Sequence, residues 1–188
     1  MRYEINQVNW PEYSYCPEAS VEVSNDHEYL HLCYNVRGEQ LRAVTTEDQG
    51  PVWEDSCVEF FCQVPGEKHY MNFECNCIGA MVASRRLGRA EDVCPLSAEE
   101  MQQIERHCSF PHEQIEERDG VFSWSVELSI PLSLIFRNSA PVFPQELKVN
   151  FYKCADKTKK PHFVSWNPIK LTKPDFHCPQ FFGKIVLK

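Results

Sequence analysis

Apolar and polar residues alternate with a two-residue period over much of the chain. Leu30, Leu32, Tyr34 and Val36 interleave with His31, Cys33 and Asn35. Phe122, Trp124, Val126, Leu128 and Ile130 interleave with Ser123, Ser125, Glu127 and Ser129. Such a period predicts strands with one face turned to a core. Further strands are expected at Val21–Val23, Cys57–Val64, His69–Cys77, Met81–Ser84, Lys148–Cys154, His162–Trp166 and Gly183–Leu187. One segment reads as a helix. Ser97 offers an N-cap before Ala98-Glu99-Glu100, and Met101, Ile104 and Cys108 then fall on one stripe. A second helical turn is expected from Pro131 through Phe136. With 13 prolines and a turn at Asp119-Gly120, the pattern predicts an all-β, antiparallel, jelly-roll-like β-sandwich. One or two short surface helices and a single domain over residues 1–188 complete the expectation.

Composition supports a packed core: 43% of the residues are hydrophobic and 12% aromatic. A formal charge of −8 excludes the basic stripe that a phosphate backbone needs, and Lys157–Lys160 is only a short run. Nucleic acid is therefore not an expected partner. Neither is a membrane, because no segment approaches the roughly 20 apolar residues of a spanning helix. Met1 to Trp10 lacks a signal-peptide pattern. With Met1 as the native start the chain is expected in the cytoplasm, and with a trimmed start it is expected to be secreted or periplasmic. The 10 cysteines include no CxxC pair, and Cys75 and Cys77 lie on one strand, so most are expected to be free thiols.

Two stretches carry candidate chemistry. On the His69–Cys77 strand, Met71, Phe73, Cys75 and Cys77 share one face, whereas Tyr70, Asn72, Glu74 and Asn76 share the other. Amides, a phenol and a carboxylate on one face suit a ligand rich in hydroxyls. An ordinary solvated face accounts for the same pattern equally well. In Val52–Phe61, Trp53 precedes a strand and Glu59 sits inside a nearly continuous apolar run. Either Glu59 is satisfied by structural partners or it faces a polar cleft, because a lone buried carboxylate is costly. GxSxG, HExxH, GxGxxG and phosphate-loop motifs are all missing. Glu59 and Glu74 could serve as a glycosidase pair, and His162 and His177 as bases or metal ligands.

The stretch Trp53-Glu54-Asp55-Ser56-Cys57-Val58-Glu59-Phe60-Phe61 resembles the signature of family-nine carbohydrate-binding modules. Val149–Tyr152, Val164–Trp166 and Pro174–Gly183 resemble later parts of the same family, in the same order. The resemblance implies a sandwich that holds the end of a mono- or oligosaccharide between two aromatic rings. One ring is Trp53, and the second falls at Phe176, where the family more often has Trp. Glu59 matches a residue that hydrogen-bonds sugar hydroxyls. The family places an Arg near Asn72 and Glu74, and Tyr152 aligns with a polar contact residue. A structural calcium ion is compatible with the resemblance, with no ligands assigned. Non-catalytic sugar binding is thus the expected function. A small glycoside hydrolase and a haem-binding sandwich are the alternatives.

Overall fold

A computed structural model describes residues Met1–Lys188. Its strands are β1 (Arg2–Glu4), β2 (Gln7–Val8), β3 (Glu18–Asn25), β4 (Tyr29–Ala43), β5 (Cys57–Gln63), β6 (Tyr70–Asn76) and β7 (Met81–Arg86). They continue with β8 (Cys94–Pro95), β9 (Glu105–Cys108), β10 (Ile115–Pro131), β11 (Gln145–Cys154), β12 (Phe163–Ser165) and β13 (Gly183–Leu187). Two short helices, α1 (Ala98–Met101) and α2 (Leu132–Ile135), interrupt them. A five-stranded sheet runs β1-β3-β4-β10-β9. An eight-stranded sheet runs β2-β12-β11-β5-β6-β7-β8, with β13 also paired to β11. Every strand pairing is antiparallel.

The alternation decides which side chains meet between the sheets. Leu30, Leu32, Tyr34 and Val36 of β4 and Trp124, Val126, Leu128 and Ile130 of β10 face Val58, Phe60, Met71, Phe73, Val149 and Phe151 in one core. Tyr34 sends its hydroxyl across the core to the backbone carbonyl of Glu59, 2.9 Å away, so its polar end is satisfied there.

Three expectations need correction. The helical stripe ends at Met101, and Glu105–Cys108 instead forms β9 on the edge of β10. The Ser97 capping box is present, but backbone pairing along β10 outweighs a short helix that gains little from propensity alone. Arg106 fixes the new strand with a bidentate pair to Asp48, at 2.7 and 2.9 Å. Asp119-Gly120 is not a turn between strands. It lies within β10 at a bulge, where Gly120 takes the positive φ of 139° that a side chain would oppose. α2 does form after Pro131, yet Leu132, Leu134 and Ile135 are buried, so it is a core element rather than a surface one.

The larger correction concerns β6. Tyr70, Asn72, Glu74 and Asn76 were expected to face solvent or a cleft; all four are buried, so the solvated face is excluded, and only Glu74 reaches a cleft. A second apolar layer lies over this outer face. Trp10, Val52, Ile169, Phe176 and Cys178 pack on Phe61, Tyr70, Tyr152 and Cys154. The Trp10 indole N–H donates to the Leu171 carbonyl at 2.9 Å, tying the two covering segments together. Gly183 is required by close approach, because a Cβ there would lie 2.6 Å from the Trp166 ring.

The Val52–Glu54 turn that carries Trp53 is held from below by Asp55. That carboxylate is fully buried and accepts from the backbone N–H groups of Val44 and Thr45, at 3.0 and 2.9 Å. The Asn76 amide donates to it at 3.1 Å, and Arg42 pairs with it at 3.3 Å. Asp55→Ala should therefore lower stability by about 1–3 kcal/mol for each stranded donor, read as a shifted urea midpoint, because it leaves the Val44 and Thr45 N–H groups and the Asn76 amide short of an acceptor. An unchanged midpoint would show that the Asp55 contacts contribute nothing.

Candidate functional site

Strand register arranges the outer face of the larger sheet in rows. Tyr152, Glu59, Glu74 and Val82 lie side by side across β11, β5, β6 and β7. The next row on one side contains Phe61, Asn72 and Ser84, and on the other side Cys154, Cys57 and Asn76. The covering layer leaves a gap over the middle row. This gap is a cavity of about 250 Å³ with Glu59, Glu74, Val82 and Cys154 among its lining. Trp53 and Asp156 stand on one rim, followed around it by Phe163 and the Pro174–His177 segment, with Arg86 and Arg89 completing the wall.

The structure therefore brings together Trp53, Glu59, Glu74 and Phe176 at one cavity. Trp53 is 39% exposed, the most exposed of the four tryptophans. Phe176 is only 8% exposed, with one face stacked on Tyr152 at 4.1 Å and 12°. Tyr152 is 0% exposed and donates its hydroxyl to the Phe176 carbonyl at 3.2 Å, so it supports that ring from behind. Asn72 also stands behind the lining. Its amide donates to Glu74 Oε1 at 2.8 Å and its carbonyl accepts from the Ser84 hydroxyl at 2.6 Å. Arg86 donates through Nε to Ser84 Oγ at 3.0 Å. A chain of aligned donors thus runs from the Arg86 guanidinium through Ser84 and Asn72 to the Glu74 carboxyl.

Sequence reading missed Arg86, Arg89 and Asp156 as parts of this site, and offered His177 only as a base or metal ligand. Arg86 is legible only through register, since its row is set by pairing with Tyr70. The other three arrive on loops whose path no periodicity reveals.

Burial governs the electrostatics. It pushes the Glu59 carboxyl well above the usual carboxylate range, with Cys154 and Glu74 adding to the effect. Glu74 is raised to about 7 by burial, held back by Arg86 and by the Asn72 amide. Asp156 is raised to about 6 by burial, against the pull of Arg89. His177 is lowered to about 3, first by burial and then by the two arginines. Its Nδ1 lies 2.9 Å from the Tyr70 hydroxyl. The two central acids are both moved upward, by burial first. Haem ligation finds no support, because no methionine lines the cavity and its one histidine is already hydrogen-bonded.

A broader depression of about 700 Å³ lies against β3, β4 and β10, lined by Asn35, Arg37, Ser123 and Ser125. It presents no exposed aromatic ring, for Trp124 beneath it is turned into the core. The smaller cavity, with its free indole and polar floor, is the better complement to a ring that is apolar on its faces and polar at its edge.

Two antiparallel sheets over one core, with an aromatic and acidic gap in the layer covering one outer face, define a ligand-binding β-sandwich. The chain belongs to carbohydrate-binding family 9, whose sequence profile matches residues 1–187. A Bacteroides uniformis protein described as a candidate carbohydrate-binding protein is 40% identical. The match covers 100% of this chain and 86% of that one, with a TM-score of 0.94. A family 9 module from Caldicellulosiruptor kristjanssonii, solved with glucose, shares the fold at 13% identity and a TM-score of 0.62, covering 99% and 83% of the two chains. The cellotriose complex of a family 9 module from the same organism aligns at 14% identity and 0.63, covering 99% and 82%. No protein of curated function matches the chain. No helix is long and apolar enough to cross a membrane.

The donor chain makes Asn72 a positioning residue. Asn72→Ala should leave Glu74 Oε1 without its donor and the Ser84 hydroxyl proton without its acceptor in a buried place. The expected cost is about 1–3 kcal/mol for each stranded group, measured by urea denaturation. A variant as stable as the parent would show that the chain does not hold Glu74.

Proposed function

We propose that this domain binds the terminal ring of a mono- or oligosaccharide in the cavity beside Trp53, without catalysing a reaction. The observation that carries the reading is the exposed Trp53 ring standing at the rim of a floor made of carboxyls and a buried arginine chain. An indole face suits the C–H face of a pyranose, and the polar floor suits its hydroxyl edge. A volume of about 250 Å³ falls below the roughly 300–1,000 Å³ of sites for drug-sized ligands, so one ring enters and any further rings stay outside. The glucose and cellotriose held by the two Caldicellulosiruptor modules make glucose and short β-glucans the first ligands to try.

In this reading Trp53 is the plate against which the sugar lies, Glu59 and Glu74 meet its hydroxyls, and Arg86 keeps Glu74 in place. Phe176 contributes an edge rather than a second open face, since Tyr152 already covers one side of its ring. Support for sugar recognition by this domain also comes from the family match.

Trp53→Ala should abolish measurable binding of glucose and cello-oligosaccharides in calorimetric titration, because aromatic anchors carry a disproportionate share of binding energy. Its melting temperature should stay close to that of the parent, as expected for a side chain already 39% exposed. A core tryptophan would behave oppositely, with truncation costing about 3–5 kcal/mol. Phe176→Ala should instead lower stability, because its ring is packed between Tyr152 and Trp10. Normal sugar binding by Trp53→Ala would overturn the assignment.

A further inference from the structure

Beside Glu59 the cavity floor holds two cysteines that sugar recognition does not explain. Cys57 and Cys154 are register partners on β5 and β11, and Glu59 lies two residues along β5 on the same face. Their thiol and carboxyl atoms all lie within 4.8 Å of one another, and all three residues are buried. We propose that Cys57, Cys154 and Glu59 form a binding site for a thiophilic divalent cation of the Zn²⁺ class, with a fourth coordination position open to the cavity.

Geometry, access and partnering each support the site. A tetrahedral zinc with Zn–S bonds of about 2.3 Å sets its sulfurs about 3.8 Å apart, so side-chain rotation of an ångström or less closes the cluster on the ion. Glu59 and Cys154 line the cavity, which gives the ion a route in and a place for a water or hydroxyl as fourth ligand. The Glu59 carboxyl is 3% exposed, yet its one side-chain hydrogen bond is from the Cys154 thiol at 3.0 Å. No Lys, Arg or His reaches it within ion-pair distance. A carboxyl buried this deeply, aimed into a cavity and lacking a cation, is poorly compensated as it stands.

The donor set also selects among metals. Two thiols and one carboxyl suit zinc and other soft cations, whereas calcium requires six to eight oxygens, so this cluster is not a calcium site. On binding, the protons of the two thiols and of the Glu59 carboxyl leave to solvent as two Zn–S bonds and one Zn–O bond form. Two thiolates and a carboxylate would leave the loaded site one negative charge in excess. Lys153 is buried behind β11, with its Nζ 2.6 Å from the Cys154 carbonyl and 2.9 Å from His162 Nε2, on the far side of the strand from the cluster.

The proposal stands apart from the sugar reading, because zinc alone is the probe. Protein dialysed against a chelator is titrated with Zn²⁺ by calorimetry, and the bound metal is counted by elemental analysis. One zinc per chain is expected for the parent and for a Cys16→Ser/Cys94→Ser control, which removes the two exposed thiols. Cys154→Ser should lose that zinc while keeping its far-ultraviolet circular dichroism. X-ray absorption on the zinc-loaded parent settles the ligands even if Cys154→Ser fails to fold, with two sulfurs expected at about 2.3 Å. A parent that takes up no zinc would overturn the proposal. So would a first shell of nitrogen and oxygen alone, or undiminished uptake by a folded Cys154→Ser.

Discussion

The strands of the larger sheet carry side chains on two faces, and the smaller sheet can cover only one of them. The inner face joins the five-stranded sheet in the main core. The outer face includes Phe61, Tyr70 and Tyr152, which cannot be left in water without cost. Segments around Trp10, Val52 and 169–178 are drawn over it, and their packing is what creates both a second apolar cluster and the gap beside Trp53. The site exists because that cover is incomplete over one row of the sheet. Where the cover closes, the face is apolar. Where it opens, the floor is Glu59 and Glu74.

Burying carboxyls in such a floor has a cost, and the structure meets it unequally. Glu74 is held by Asn72, which is held by Ser84, which is held by Arg86, so a charged group stabilises it through two neutral residues. Glu59 has only a thiol. Two adjacent acids thus sit in different states of satisfaction within one cavity. A buried acid with so weak a partner as a thiol, in a cavity, is a candidate for a ligand to complete its bonding.

Much of the fold was legible because period-two patterning leaves little choice about which face a strand buries. β4, β5, β6, β7, β10 and β11 follow from it almost directly. Patterning cannot distinguish a polar face that meets water from one that meets a polar cavity under a lid. Tyr70 and Asn76 showed this, since the first is covered by His177, more than a hundred residues away, and the second by the turn that ends at Asp55. Cys108 marks a second limit: a helical stripe and an edge strand compete for the same residues, and a waiting edge on β10 decided the matter. Trp53, Glu59, Glu74 and Phe176 were found from motif and spacing, and the structure gathers them. Asn72 and Tyr152 were found for the same reason but stand one layer back, because register fixes a residue's row without saying what lies above it.

The claim that the gap beside Trp53 is the sugar site is tested most directly by following the indole N–H resonances of the four tryptophans by NMR during titration with cellotriose. Trp10 and Trp124 are enclosed in the two apolar clusters, and Trp166 packs on Tyr3 and Phe151 away from the cavity. The account predicts that the Trp53 signal moves progressively and saturates while the other three stay close to their starting positions. Shifts confined to Trp124 and the amides of Asn35 and Ser125, with Trp53 unmoved, would place the sugar in the depression on the smaller sheet and contradict it.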